Sequence, residues 1–336
     1  MNIDLCLDAR LAPEELARLG LLAERQGLGT IWLASYLASR DPFANLVPLA
    51  QASKSILMGP VALNPYDTHP VRLATGWLTL NQYASGRARI IVGGGGEALM
   101  ALSLKPDRRP LAVGECVQIL KGASAESPFS FDGRMYTVKD YHPSWATAPK
   151  PPVYVAANKP QMLRMAARYA DGVMLSDLPP ALCAERIGWV RAHLKEFGRA
   201  ALPFRFNNFL AWHVYEDRAK ARREARQWLG YRGLFRPWVI TTFMSPADYD
   251  IIEAHKAEIY AMPFKGTWSV EGVPDRILDK LVDELTLCGH VSEVPRLLGH
   301  LVEMKSAGVT DVCLEIREHA EDSIRILGEQ VAPALR

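Results

Sequence analysis

Eight short runs of apolar and β-branched residues recur along the chain, and stretches with apolar residues at helical spacing lie between them. The runs are Ile3 to Leu7, Thr30 to Leu33, Ile56 to Leu63, Ala88 to Val92, Pro152 to Ala156, Gly172 to Ser176, Phe204 to Val214 and Val309 to Ile316. Strands joined through helices pair in parallel with right-handed crossovers. Eight of them predict an α/β fold closed into a (β/α)8 TIM barrel, with a doubly wound open sheet as the alternative. Two segments break the rhythm. Residues 124–150 contain a hairpin expected around Asp132-Gly133. Residues 230–286 are rich in aromatics and prolines and too long for an ordinary connection, so a helical excursion or lid is expected there. The reading is one barrel domain over residues 1–336 with these two insertions.

Charge and composition narrow the function classes. The 39 basic and 37 acidic residues are mixed along the chain and leave a net charge of +2, so no large positive field invites nucleic acid or an anionic membrane. No stretch approaches the roughly 18 uncharged apolar residues that a membrane span needs. The opening MNIDLCLDAR has acidic residues and no basic start, unlike a signal peptide. A cytoplasmic address and a small-molecule partner are the expectations. The five cysteines lie far apart with no C-x-x-C pair and read as packing residues. The eight histidines show no H-E-x-x-H or H-x-H spacing, so no metal site is expected. No G-x-S-x-G nucleophile elbow occurs either.

In such a barrel the chemistry sits on the loops that follow the strand C-termini. Those positions are Cys6 to Asp8, Ser35 and Tyr36, Leu63 and Asn64, Gly93 to Glu97, Ala156 to Lys159, Ser176 and Asp177, His213 and Arg317. The glycines Gly93 to Gly96 let a ligand approach the backbone with no Cβ in the way. They read as the support of a planar cofactor, as a tight turn, or, through Gly93, Gly95 and Ala98, as a weak dinucleotide fingerprint whose acidic partner is missing. Asn64 precedes Pro65 and is biased to extended backbone. Thr68 or His69 reads as the cap of a helix starting at Pro70. Tyr36, Glu97 and His213 are the candidate acids or bases, and spacing does not choose among them; a satisfied structural His213 fits the pattern equally well.

Three stretches carry a resemblance: GPVALNPYDTHPVRLATGWLTLNQYASGRARIIVGGG (59 to 95), PPVYVAANKPQMLRMAARYADGVMLS (151 to 176) and EMKSAGVTDVCLEI (303 to 316). In order and spacing the chain resembles the luciferase-like monooxygenase superfamily of flavin- and F420-dependent oxidoreductases, and within it the F420-dependent methylenetetrahydromethanopterin reductases. The resemblance implies a bacterial-luciferase-like barrel, commonly a homodimer, with a non-prolyl cis peptide in the third strand. That bond would fall at Val61-Ala62, with Leu63 and Asn64 beside the cofactor ring. It further implies Gly93, Gly94 and Gly95 under the cofactor, Ala157, Asn158 and Lys159 at its phosphate tail, and Ser176 among its contacts. The implied cofactor is coenzyme F420, alternatively FMN. The implied function is hydride transfer between the bound cofactor and a small organic substrate. An FMN-dependent monooxygenase using oxygen is the alternative, and a non-catalytic ligand-binding barrel is a third reading. The chain departs from the reductases in three places: Cys6 replaces a strand-one glutamate, Ser35-Tyr36 replaces an aspartate-histidine pair, and the acidic residue after the glycines is shifted to Glu97. These departures imply a substrate other than the pterin, and a less cationic one.

Overall fold

Runs of aliphatic residues without polar alternation suit strands buried on both faces, as in a sheet covered by helices. The computed structural model describes residues 1–232 and 235–336, and only the backbone of residues 97 and 98. In chain order its strands are Asn2–Leu7 (β1), Thr30–Ala34 (β2), Leu57–Val61 (β3), Ile90–Val92 (β4), Phe129–Asp132 (β5), Thr137–Tyr141 (β6), Val153–Ala156 (β7), Gly172–Ser176 (β8), Arg205–Tyr215 (β9), Thr286–His290 (β10) and Asp311–Ile316 (β11). Eight of them form a parallel ring in the order β3, β2, β1, β11, β9, β8, β7, β4. Parallel bridges Met58↔Ala88 and Leu63↔Val92 link its two ends, so the barrel prediction holds over the open sheet.

The helices on the outer surface follow from apolar faces and proline starts. Pro13–Arg25 begins with proline and buries Leu16, Leu19 and Leu22. Asp275–Leu285 buries Ile277, Leu278, Leu281, Val282 and Leu285 on one stripe. His69 caps Pro70–Tyr83, its Nδ1 accepting the Val71 N–H at 3.2 Å, as expected. All five cysteines are buried thiols, the packing role read from their spacing.

The first insertion is the expected hairpin, β5 antiparallel to β6. Its turn is anchored by Glu115, whose carboxylate accepts the N–H groups of Arg134, Met135 and Tyr136 at 2.7, 2.9 and 3.0 Å. The second irregular region is helical, with Pro237–Ile240, Pro246–Ala254, Lys256–Lys265 and Asp275–Leu285. It differs from the sequence reading at its end, where residues 286–290 form a strand the periodicity does not show. Thr-Leu-Cys-Gly-His is five residues long, contains a glycine and follows a helix directly, so no local alternation marks it. It exists because β9 is eleven residues long and its last five residues, Ala211 to Tyr215, supply a ladder for β10.

Candidate active site

At the C-terminal mouth, three adjacent strand ends carry small residues. The peptide Val61-Ala62 is cis, at the position the resemblance implied. Past it the chain is held against β4 by Leu63 N–H donating to the Ile91 carbonyl at 3.0 Å and Gly93 N–H to the Leu63 carbonyl at 2.7 Å. A Cβ placed on Gly93 would stand 3.2 Å from the Ala62 Cβ and 3.5 Å from the Ala156 Cβ. Ala62, Gly93 and Ala156 thus form a floor with no side chain longer than a methyl, which fits the flat face of a flavin or deazaflavin ring. Gly95 has φ +78°, where L side chains are strained. The Gly94 carbonyl is held by Arg109 Nε at 3.1 Å.

Beside the floor lies a polar cluster drawn from five segments. Asp177 follows β8 in the left-handed region, φ 55°, and its side chain is 1% exposed. Its Oδ2 accepts from Ser176 Oγ at 2.6 Å and from Arg232 Nη2 at 2.9 Å. Arg232 also donates to Ser176 Oγ at 2.6 Å and lies over the Phe209 ring, while Arg236 Nη1 donates to the Ser176 carbonyl at 2.9 Å. Glu315, next to last in β11, is in register with Cys6 of β1. Its Oε1 accepts from Arg317 Nε at 3.0 Å, and the Arg317 guanidinium sits between the rings of Trp228 and Tyr231, 4.7 and 4.8 Å from their centroids. Burial pushes the Glu315 carboxyl above its ordinary value, against the pull of Arg317 and Arg232. Among the described residues, Asp177 Oδ1, Glu315 Oε2 and Arg232 Nε are buried atoms with no hydrogen-bond partner. Buried polar groups are almost always paired, and three such unpaired atoms lie together at this mouth.

The residues singled out from sequence do not all gather in one place. Val61, Ala62, Leu63, Gly93, Gly94, Gly95 and Ser176 gather at the mouth, and Tyr36 faces Glu315 and Arg317 with its phenol pushed up by burial. Ala157, Asn158 and Lys159 follow β7, where Asn158 Oδ1 accepts the Ser176 N–H at 3.0 Å and Lys159 is exposed ahead of the helix Pro160–Tyr169. Asn64 spends its side chain on its own turn: Oδ1 accepts the N–H of Tyr66 and Asp67 at 3.0 and 3.2 Å, and Nδ2 donates to Asp67. His213 is buried against Tyr215 and Trp228. Burial, aided by the charge of Arg317, lowers its pKa to about 3, which makes it a poor base at neutral pH. Glu97 opens the helix Glu97–Ala101, and its side chain lies outside the described residues.

Sequence reasoning did not assign Asp177, Arg232, Arg236, Glu315 or Arg317. Asp177 and Arg317 were visible as loop positions after strands. Glu315 is one polar residue in an apolar strand, a signal that catalytic carboxylates share with structural ones. The two arginines sit on and beyond a helix whose end no local signal marked.

Relatives are consistent with this geometry. The chain is 25% identical over 321 residues, 94% of each chain, to a 5,10-methylenetetrahydromethanopterin reductase of Archaeoglobus fulgidus. Its fold is similar to the coenzyme F420 dependent tetrahydromethanopterin reductase of Methanopyrus kandleri, with TM-score 0.77 and 19% identity over 100% of both chains. It is also similar to an F420-dependent secondary alcohol dehydrogenase in complex with an F420-acetone adduct, with TM-score 0.78 and 19% identity over 100% of both. The profile of the luciferase-like monooxygenases matches residues 4–311, and the chain belongs to that family.

Proposed function

We propose that this protein is an oxidoreductase that passes a hydride between bound coenzyme F420 and a small organic substrate. The observation that carries the reading is the flat floor of Ala62, Gly93 and Ala156 set directly beside a polar mouth with unpaired buried atoms. The floor fits a planar ring, and the F420-dependent relatives favour the deazaflavin over FMN. When bound, the cofactor supplies the two-electron chemistry.

The protein's own groups do the rest. Ala62, Leu63 and Gly93 support the ring face, and Ala62 and Gly93, with no side chain longer than a methyl, let the ring approach the backbone closely. Asn158 fixes the loop after β7 through Ser176, and Lys159 with the free amides of the helix Pro160–Tyr169 meets the anionic tail. Arg232, Arg236 and Arg317 line the substrate side and disfavour a cationic substrate. Five buried free thiols fit a reducing compartment, and we place the protein in the cytoplasm. We take it to act as a homodimer, which light scattering of the purified protein checks.

Fluorescence titration of the apoprotein with F420 and with FMN tests the reading. F420 binding is the expected result, and FMN binding in its place moves the protein to the oxygen-using monooxygenase class. Binding of neither leaves a barrel without the cofactor. Gly93→Val puts a branched side chain onto the floor and is expected to weaken F420 binding roughly tenfold or more.

A further inference from the structure

We propose that Glu315 is the proton-transfer residue of this site, and that the substrate is a carbonyl compound or its alcohol rather than a cationic imine. The inference rests on the hydride-transfer reading above and deepens it.

The geometry carries it. Glu315 is 5% exposed at the C-terminal end of a barrel strand, the place where a barrel presents catalytic groups. One carboxyl oxygen is held by Arg317, which fixes the orientation of the group; the other is buried and unpartnered. Among the described residues the other buried glutamate, Glu115, accepts three backbone N–H bonds and is spent on anchoring the hairpin. The groups that act on Glu315 come from several elements: Cys6 on β1, Tyr36 after β2, Asp177 after β8, Arg232 on its helix and Arg317 after β11. Burial, with a smaller push from Asp177, favours the protonated acid, and Arg317 and Arg232 favour the carboxylate. A group balanced this way is suited to give up and regain a proton.

The chemistry then selects the substrate. A cationic imine accepts a hydride and becomes a neutral amine with no proton required, so a buried acid would have nothing to do. A carbonyl needs both. As hydride from the reduced cofactor forms the new C–H bond, the C=O π pair takes the Glu315 proton to form O–H, and the Glu315 O–H bond breaks. The carboxylate left behind is held by Arg317 and Arg232 until solvent reprotonates it. In the oxidative direction the carboxylate removes the hydroxyl proton as hydride leaves carbon for the oxidised cofactor. Three guanidinia at this mouth, those of Arg232, Arg236 and Arg317, also disfavour an imine cation.

Infrared spectroscopy of the apoprotein tests the first half without cofactor or mutation. As pH rises through and above the ordinary carboxylate range, a protonated-carboxyl stretch that moves on carboxyl-¹³C glutamate labelling and disappears in Glu315→Gln is expected to outlast the bands of exposed glutamates; absence of such a late-titrating glutamate band overturns the proposal. Labelling separates it from Asp4, whose band would not move. For the second half, oxidation of reduced F420 is followed with acetone, cyclohexanone and acetaldehyde as probes. Glu315→Gln is expected to slow this by about 10²- to 10⁴-fold, with F420 affinity unchanged and the fall of the reduction rate at high pH abolished. An unchanged rate in Glu315→Gln, or no oxidation by any carbonyl probe, overturns it. Failure of wild type to bind F420 would instead strike the function reading, and the infrared arm distinguishes the two.

Discussion

The two ends of the barrel interior are built from the same residue types and treat them oppositely. At the base, Asp4 Oδ2 accepts from Trp32 Nε1 and from Asn207 Nδ2, both at 3.0 Å. Asp311 there accepts from Asn2 Nδ2 at 2.9 Å, from Thr310 Oγ1 at 2.7 Å and from the Arg205 guanidinium through both oxygens. The Asn207 Oδ1 atom is the exception, buried without a partner. At the mouth, Asp177 and Glu315 each keep one oxygen unpaired, beside the equally unpaired Arg232 Nε. An unmet buried polar atom costs about 1–3 kcal/mol, so the mouth carries a standing cost that the base largely avoids. The base is built for stability and the mouth for a ligand that completes it.

The sharpest way to break this contrast is to truncate the base. Trp32 is 1% exposed and holds Asp4, so Trp32→Ala is expected to cost about 3–5 kcal/mol in urea unfolding. F420 affinity of the folded fraction should be unchanged; a loss of affinity matching the loss of stability would merge the two regions into one.

The pH dependence of stability comes next. Burial, reinforced by the charge of Asp311, raises the Asp4 pKa to about 7 from an ordinary value of 3.8. The folded state therefore keeps a proton that the unfolded chain releases, so stability falls as pH rises from about 4 to about 7 and levels off above. The size is on the order of a few kcal/mol. Asp4→Asn should flatten that slope in denaturation curves taken across the window, and an unaltered slope would assign it elsewhere.

At the mouth, Glu315→Gln is expected to change unfolding free energy by less than about 1 kcal/mol, because Gln has the shape of the protonated acid and keeps an oxygen to accept from Arg317. A large destabilisation would show that Glu315 is a structural partner like Asp311. Smallest of all, Lys159→Ala should weaken F420 binding by ~1 kcal/mol, about fivefold, with the difference shrinking at high salt. An effect independent of salt would remove Lys159 from the anionic tail.

The legible parts of this protein were those written locally. Aliphatic runs such as Ile3 to Leu7 and leucine stripes such as Leu16, Leu19 and Leu22 follow strand and helix periods, so the barrel could be read from them. The His69 cap and the hairpin turn are signalled within a few residues. The β10 strand was not legible, since its five residues have no period long enough to detect and depend on the overhang of β9. His213 illustrates a different limit: its place near a strand end was right, but burial between Tyr215 and Trp228 decides its proton affinity.

What the sequence determined by itself was the alternation that closes the barrel and the small residues Ala62, Gly93 and Ala156 at three strand ends. Both follow from short-range sterics and hydrophobic period, which act between neighbours in the chain. Only the tertiary structure decided which charges meet. Asp177, Arg232 and Glu315 lie far apart in sequence and come together because parallel strands all point their C-termini to one face. Whether each polar atom there finds a partner depends on through-space distances of about 3 Å, which no spacing along the chain encodes.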